Sequence, residues 1–493
     1  MALIDLNIPA GVYRNGTDLQ SQGRWRDANL VRWHDGVMRP VGGWRTKFST
    51  ATNAKIRGML AWSDNSSDRW TAAGTYNKLY VYGADDVQYD ITPTGLSAGY
   101  EDASLFTGYG GGFYGYYGYG IARPDSANLI PATVWQMDTW GENLVAMNNL
   151  DGKIYEWSLN TAANAAVVTN APTNNQSIVV TAERFLFALG AGGNVRKVQW
   201  SDQEDNTSWT PATTNQAGDF ELSTNGSLMK GLRVRDQTLL LTNRDAHVAN
   251  YIGPPYVYGF QNVGTSCGLA AQEAAVVVDA GAFWMGANSF FTYNGNIVSE
   301  LPCDVSDHVF NDMNKAQISK AFGVSNSMFG EIWWFYPSAD NTENDRYVVL
   351  NYVEGTWAIG ELARTAGADR GVFRRPMMAN PSDKKIYEHE VGLNYGGLTP
   401  FAESGPFRIG TGDTVMSVTE MLPDEKTQGD VSATFKTRFY PNDVERTYGP
   451  YTMSNPTSVR FTGRQVRMRV EGEASSDWRV GINRLDVISG GRR

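Results

Sequence analysis

Cysteine and histidine are scarce in this chain, and their scarcity excludes several kinds of protein. Only two of the 493 residues are cysteines, Cys267 and Cys303. Two cysteines cannot build the disulfide framework of a small secreted domain, and they are typical of a chain that folds in a reducing cytoplasm. The four histidines lie far apart and match neither HExxH nor HxH spacing. The sequence therefore predicts no metal site and no cofactor.

Two further absences concern membranes and nucleic acids. No apolar run approaches the roughly 20 residues that a membrane-spanning helix requires, and the opening MALIDLNIPAGVYRNG has no basic region followed by an apolar one. We therefore expect neither a membrane-spanning segment nor a secretion signal. The formal net charge of −10 argues against tight binding of nucleic acid through bulk electrostatics. It does not exclude a surface past which DNA slides without being held.

Common catalytic motifs are scarce as well. The phosphate-binding GxxxxGKS/T does not occur, and GxSxG, which marks a serine nucleophile when it joins a strand to a helix, is matched only by GTSCG at 264–268. We predict that the protein is not an enzyme and that it has no catalytic residues.

Glycine and aromatic residues, by contrast, are abundant, with 52 Gly, 24 Tyr and 15 Trp. Together with the shortage of long periodic runs, they indicate an all-β chain with many turns. One hairpin illustrates the pattern: the apolar run 143–147 is followed by Asp151-Gly152 and then by the β-prone run 153–157. Asp-Gly readily adopts the positive φ values of a two-residue hairpin turn, so we predict such a turn here.

This strand–turn–strand unit recurs about seven times between residues 55 and 389, at irregular spacing. Antiparallel units without intervening helices favour a β-propeller, whose radial repetition leaves only short protected edges. We predict a β-propeller-like domain of about six or seven hairpin-built blades over residues 51–397. Two or three β-sandwiches in tandem are the competing architecture.

The pattern changes after residue 397, where separated strands with alternating polarity begin. In the run 466–470 every second residue is apolar, which is typical of a strand with one buried face. We predict a C-terminal β-sandwich over residues 398–493. Its arginines 460, 464, 467 and 469 fit a solvated strand face better than a channel lining or a contact with an acidic partner.

Residues 1–50 form an N-terminal segment in which arginine alternates with tryptophan. One interpretation is a basic and aromatic patch that binds nucleic acid. The favoured one is an extended segment packed on the body by buried tryptophans, with its arginines stacked on rings or paired with acids. Acidic residues alternate with the arginines and no lysine cluster accompanies them. The candidate packing or partner-contact residues are Trp25, Arg26, Arg32, Trp33 and Trp44.

An insertion at residues 106–120, FTGYGGGFYGYYGYG, consists almost wholly of glycine and aromatic residues. Glycine loses much backbone entropy on ordering, so this run orders only if its rings find a surface. It is either a packed surface loop or an adhesive loop that lies against a neighbouring subunit. The candidate interface residues are Phe106, Tyr109, Phe113, Tyr114, Tyr116, Tyr117 and Tyr119.

Four stretches carry a resemblance to a known family: DLQSQGRWRDANLVRWHDGVMRPVGGWR at 18–45, the unit 139–157, the loop 198–219 and the ending 465–487. They resemble the tail hub or nozzle proteins of short-tailed bacteriophages (podoviruses), also called packaged-DNA stabilisation proteins. The resemblance extends over most of the chain, but its motifs are packing and turn patterns.

The resemblance implies a structural virion protein that assembles as a homohexameric ring. Such a ring lies below the adaptor (head-to-tail connector) proteins in the phage tail, extends the DNA channel, helps to retain packaged DNA and anchors fibres or spikes. Genomic DNA passes through the lumen without sequence-specific binding, and the ring is made and assembled in the cytoplasm of the bacterial host. On this reading we expect the residues that face the bore to be acidic or neutral, since an acidic lumen repels phosphates.

Another class of function remains open. A propeller-type tail protein could bind or degrade glycans, and a depolymerase would need a cleft with two carboxylates roughly 5–10 Å apart. A bacterial adhesive surface protein is disfavoured by the expected lack of a secretion signal.

Overall fold

Antiparallel four-stranded sheets repeat along the chain and form the larger part of the molecule. The computed structural model describes residues 2–105, 129–408, 414–473 and 476–491. Helical structure in these residues is limited to one α-helix, Ser306–Asn311, and the 3₁₀ helices Asp18–Ser21, Ala191–Gly193 and Lys315–Lys320.

Seven of the sheets are the blades of a β-propeller, numbered here in chain order from the innermost strand outward. Blade 1 consists of Ile56–Ser63, Arg69–Thr75, Leu79–Tyr82 and Gln88–Asp90, and blade 2 consists of Trp135–Trp140, Asn143–Asn148, Tyr155–Trp157 and Ala166–Val167. Blade 3 consists of Ser177–Val180, Leu186–Leu189, Lys197–Trp200 and Gly218–Glu221, and blade 4 consists of Leu228–Val234, Gln237–Thr242, Asp245–Gly253 and Val257–Thr265. Blade 5 consists of Ala275–Val278, Gly281–Met285, Phe290–Tyr293 and Val298–Leu301. Blade 6 consists of Phe322–Asn326, Glu331–Pro337, Asn344–Asn351 and Thr356–Glu361. Blade 7 consists of Gly367–Ala368, Met377–Ala379, Ile386–His389 and Trp44–Thr46.

The innermost strands of the seven blades close into a ring. Each packs against the innermost strand of the next blade, and that of blade 7 packs against that of blade 1. Glycine permits some of these close approaches. A Cβ on Gly58 would lie 2.5 Å from the Trp135 carbonyl oxygen, and one on Gly231 would lie 2.4 Å from Val179 Cγ1. The predicted propeller is therefore confirmed, and tandem sandwiches are excluded for this part of the chain.

The hairpin predicted at 143–157 lies in blade 2, where Leu144 pairs with Trp157 and Ala146 with Tyr155. Its turn is longer than the predicted two residues. The strands stop at 148 and resume at 155, because Asn148 Oδ1 accepts the backbone N–H groups of Leu150 and Asp151, each at 3.0 Å. The aromatic residue at the end of the hairpin packs between blades: Trp157 is buried and meets Trp70 of blade 1 edge-on, with ring centroids 5.3 Å apart.

Residues from about 400 onward form the predicted C-terminal β-sandwich, with help from the N-terminus. One sheet has the strand order Ala2–Leu6, Asn483–Ser489, Met416–Leu422 and Thr457–Gly463. The other has the order Trp25–Asn29, Phe401–Ser404, Gln465–Gly472, Val431–Arg438 and Arg446–Thr452. Alternate residues of the facing strands fill the space between the sheets, as where Phe435 stacks on Phe461 at 4.5 Å.

The N-terminal segment joins the two domains by contributing strands to both. It supplies one strand to each sandwich sheet and the outermost strand of blade 7, in which His389 pairs with Trp44. Two smaller pairs complete the sheets, the hairpin Val31–His34 with Val37–Pro40 and the ribbon Ser104–Leu105 with Leu129–Ile130. A single apolar cluster runs from the sandwich core through this segment into blades 4 to 7.

In the described ranges, no helix has the length and apolar character that crossing a membrane would require.

Candidate functional site

The tryptophans of the N-terminal segment are packing residues. Trp25 and Trp33 are 5% and 4% exposed, and their ring centroids lie 6.2 Å apart within the apolar cluster that the two domains share. Trp44 is half-buried and stacks on His389 at 5.5 Å, where its strand closes blade 7. These three side chains hold the segment on the body, as the favoured interpretation of the sequence expects.

Arg32 lies at the centre of a buried ion network between the N-terminal segment and the propeller. Its guanidinium donates to both carboxylate oxygens of Glu331 in blade 6, at 2.8 and 2.9 Å, and to Glu390 Oε2 beside blade 7, at 3.0 Å. It also lies over the ring of Phe329, 3.7 Å from the centroid. Gly42 N donates to Glu390 Oε2 at 2.9 Å, so backbone of the segment takes part as well.

The two carboxyls of this network respond differently to burial. Burial raises the pKa of Glu331 above its ordinary value, in opposition to the attraction of Arg32. Burial acts on Glu390 in the same direction, but the charge of Arg32 and the hydrogen bonds that Glu390 accepts outweigh it and lower its pKa. Burial disfavours the charged form of Arg32, yet the two carboxylates raise its pKa, so the guanidinium remains protonated.

Arg26 and the arginines of the C-terminal domain meet in a second, more exposed network. Asp18 lies 3.1 Å from Arg26 Nε and also accepts from Arg438 and Arg467. Arg467 has a further carboxylate of Glu445 at 3.0 Å. Arg469 pairs in turn with Glu471 at 2.6 Å and lies 3.6 Å over the ring of Phe401. These arginines are neutralised by acids of their own chain.

The connection between blades 1 and 2 contains the insertion, and its described ends are firmly anchored. The interface residues predicted at 106–119 lie outside the described residues. Before them, Ala103 exchanges hydrogen bonds with the side chain of Gln317 at 2.9 and 2.8 Å; after them, Ala132 N donates to Ser319 Oγ at 3.1 Å. Both partners immediately precede blade 6, so the connection between blades 1 and 2 also contacts the start of blade 6, two positions from blade 1 around the ring.

Buried ion pairs hold the connection between blades 1 and 2 against the start of blade 6. Arg57, whose side chain is 1% exposed, donates to both oxygens of Glu343 at 2.7 Å, and Lys55 lies 3.2 Å from the same carboxylate. Lys320, with no exposed side-chain surface, donates to Asp102 and to the Thr342 carbonyl. We name these residues, Lys55, Arg57, Asp102, Lys320 and Glu343, the anchor cluster.

The pKa values of the anchor cluster reflect its burial and its pairing. Burial alone would raise the pKa of Glu343, but the hydrogen bonds and charge of Arg57, with the charges of both lysines, lower it to about 2. Burial lowers the pKa of Lys320, and the hydrogen bond to Asp102 offsets only part of that effect. Glu343 is therefore the principal anion for Arg57, and Asp102 is the directly bonded anion of Lys320.

Charged side chains also pair with one another across the channel at the centre of the propeller. Glu273, at the entrance to blade 5, accepts from Lys230 of blade 4 at 2.8 Å and from Gln136 of blade 2. Arg233 donates to Asp138 at 2.8 Å, which links blades 4 and 2. Burial raises the pKa of Asp138 despite this partner. A cavity of about 310 Å³ remains between these paired side chains.

One group of three possible metal ligands occurs in the part of the chain that the structure describes. His34, Asp35 and Glu354 meet where two exposed turns adjoin. Glu354 lies 3.4 Å from His34 Nδ1 and Asp35 lies 3.8 Å from Nε2, so the carboxylates face different nitrogens of the ring.

Sequence reasoning singled out Arg26 and Arg32 but not Lys55, Arg57 or Lys320, and it missed the distant carboxylates of both networks. Glu343 lies 286 residues from Arg57 along the chain, and Glu331 and Glu390 lie 299 and 358 residues from Arg32. The alternation of arginine with acids at 18–35 suggested local pairing. Closure of the ring brings Glu331 and Glu390 to Arg32 of the N-terminal segment, and Glu343 to Arg57 of blade 1.

Comparison with known proteins finds similarity of structure at low sequence identity. No protein-family model and no curated protein sequence matches the chain. A streptogramin B lyase aligns over 69% of this chain and 95% of its own, at 10% identity and a TM-score of 0.39. Virginiamycin B lyase from Staphylococcus aureus aligns over 70% and 99%, at 8% identity and a TM-score of 0.40. The Pan2 WD40 domain of Neurospora crassa aligns over 70% and 95%, at 6% identity and a TM-score of 0.39. Similarities of this size say nothing about the function of this chain.

Proposed function

We propose that this chain is a structural subunit of a bacteriophage tail, the hub or nozzle protein of a short-tailed phage. The observation that carries the proposal is the course of the N-terminal segment, which contains one of the four stretches that resemble that family. Its strands belong to both sandwich sheets and to blade 7, and Arg32 ties it to blades 6 and 7 through buried charges. A ring that retains DNA under pressure needs its domains held together in this way.

The pairing of the arginines supports passage of DNA without specific binding. Arg26, Arg467 and Arg469 each have acids of the same chain within 3.1 Å. A cation that is already paired gains less from a phosphate and releases fewer counterions on binding it. With a net charge of −10, the chain suits a bore that DNA slides through, formed by six copies rather than by the channel of one propeller.

The insertion is the part of the chain that we assign to contacts between proteins. Its two described ends are anchored, and the four strands of each blade come from other parts of the chain. We place these residues at a contact with a neighbouring subunit or with an adaptor protein. Fibres or spikes are the other partners, and the assembled ring belongs to the virion tail, built in the host cytoplasm.

Native mass spectrometry with electron microscopy of the purified chain tests the proposal. The expected species is a ring with a central bore and six times the mass of the 54.3 kDa chain. A matched sample that lacks residues 106–120 should retain its propeller fold and lose subunits from the ring. A chain that stays monomeric at every concentration, alone and with tail extracts of a short-tailed phage, would contradict the proposal.

A further inference from the structure

A groove of about 560 Å³ lies between blades 4 and 5, away from the networks described above. Its walls are the turn 243–245 of blade 4, the turn 287–289 of blade 5 and the connection 265–268 that joins the two blades. This volume is within the range of sites that bind small molecules. Neighbouring blades therefore present two turns and a connection to one shared space.

The groove differs from the channel in the state of its polar groups. In the channel, Lys230, Arg233, Asp138 and Glu273 are all paired across blades. In the groove, the side chains of Asn225, Arg244, Asn288 and Glu300 are exposed, and the described residues offer none of them a hydrogen bond or an ion pair. Their donors and acceptors are free for a ligand.

An aromatic ring forms part of the groove wall. Phe291 is half-buried, and its ring is supported by Trp284, with centroids 5.9 Å apart and planes 27° apart. Gly286 leaves room for the ring edge, because a Cβ there would lie 2.6 Å from Phe291 Cε2. A ring held from behind is a fixed apolar surface for the face of a ligand.

The charges of the groove exclude a polyanion. Arg244 supplies one positive charge, while Glu300 and Asp245 supply two negative ones. Asp245 is already occupied, since the hydroxyls of Thr224 and Thr242 donate to it at 2.6 and 2.5 Å. Nucleic acids and acidic polysaccharides would meet net repulsion here.

We infer that this groove binds a neutral saccharide. Primary amides offer two donors and one acceptor in a plane, which suits pairs of adjacent hydroxyls, and Asn225 and Asn288 place two such groups around the space. Asn243 adds its amide donors, since its Oδ1 already accepts from Ser227 N at 2.9 Å. Arg244 and Glu300 add a further donor fork and an acceptor, and the Phe291 ring faces the apolar side of a sugar. The inference is independent of the proposed tail function, because it depends on this groove alone.

The test uses the full-length chain on an array of neutral hexose, N-acetylhexosamine and 6-deoxyhexose oligomers, with tetragalacturonic acid as the charged comparison. Titration calorimetry then measures the affinity of the best neutral oligomer. Asn288→Ala and Phe291→Leu should each weaken binding about tenfold, the loss expected when one or two hydrogen bonds or a ring contact disappear. Asn296→Ala, at another exposed turn of blade 5, should leave affinity unchanged.

Each outcome bears on the inference. The inference is supported if the natural chain binds a neutral oligomer and both Asn288→Ala and Phe291→Leu weaken that binding, while the urea unfolding midpoint of each variant equals that of the natural chain. No binding to any neutral oligomer overturns it, as does binding that neither substitution changes or a preference for the acidic tetramer. Assembly into rings, measured separately, distinguishes failure of this inference from failure of the tail function.

Discussion

A substitution of Glu343 tests whether buried ion pairs hold the connection between blades 1 and 2. Its carboxylate accepts two hydrogen bonds of 2.7 Å from Arg57, and Lys55 Nζ lies 3.2 Å from one of its oxygens. Replacing it with glutamine keeps the shape of the side chain and removes the charge. Arg57 then remains buried without its principal anion, which is the situation that makes broken buried ion pairs costly.

The magnitude follows from the lowered pKa of Glu343. Pairing with Arg57 lowers this pKa from 4.5 to about 2, with the side chain 17% exposed. A shift of this size corresponds to about 3 kcal/mol of free energy of unfolding. Because the folded pKa lies below the unfolded one, the contribution is complete above pH 4.5 and disappears as the pH falls toward 2.

Urea unfolding followed by tryptophan fluorescence measures the effect. We expect Glu343→Gln to lower the free energy of unfolding by about 3 kcal/mol at pH 7 and to approach the natural chain near pH 2. Asp86→Asn is the matched control, because Asp86 makes only a surface pair with Lys47 and should change stability by less than about 1 kcal/mol. Equal midpoints at pH 7, or a difference that stays constant down to pH 2, would refute the reasoning.

Three other predictions concern the networks and the insertion. Arg32→Met should lower the free energy of unfolding by about 3–5 kcal/mol, because it leaves Glu331 and Glu390 buried without a cation. Arg32→Lys should lower the stability less, since lysine keeps the charge but lacks the bidentate geometry of the guanidinium. Thermal unfolding of both variants measures the two losses. Joining residue 105 to 121 without 106–120 should leave the circular dichroism spectrum of the monomer unchanged and weaken assembly in native mass spectra; unfolding of the monomer would place the insertion in the core. Replacing Arg467 and Arg469 with glutamine should leave DNA retention in assembled particles unchanged, because both face acids of their own chain; leakage from intact particles would mean that they hold DNA.

The blades could be predicted from the sequence because their information is local. The strands Asn143–Asn148 and Tyr155–Trp157 of blade 2 begin and end within two residues of the runs 143–147 and 153–157 that predicted them. Alternation, aromatic residues and Gly-containing turns act within a few residues of each other, so short windows reveal them. The strand Gln465–Gly472 could be predicted for the same reason, since its buried residues alternate almost throughout.

The role of the N-terminal segment could not be predicted in the same way. Its strand Trp25–Asn29 contains a register shift between Trp25 and Asp27, and this shift breaks the alternation that would have revealed it. Its partners Phe401–Ser404 and Ile386–His389 lie more than 300 residues away, and no local pattern encodes such pairing. The buried network around Arg32 is equally non-local, so arginine spacing alone could not separate a buried cation from a nucleic-acid contact.

The segment's strands also determine which parts of the chain can fold alone. Without residues 1–50, blade 7 loses its outermost strand, and each sandwich sheet loses the strand at one edge. Glu331 and Glu390 would lose Arg32 at the same time and would remain as buried carboxylates. Residues 51–397 and 398–493 are therefore separate domains in architecture but incomplete as folding units. Since the same segment completes both, the propeller and the sandwich should unfold together, and a force applied to one domain should reach the other through paired strands rather than through a flexible linker.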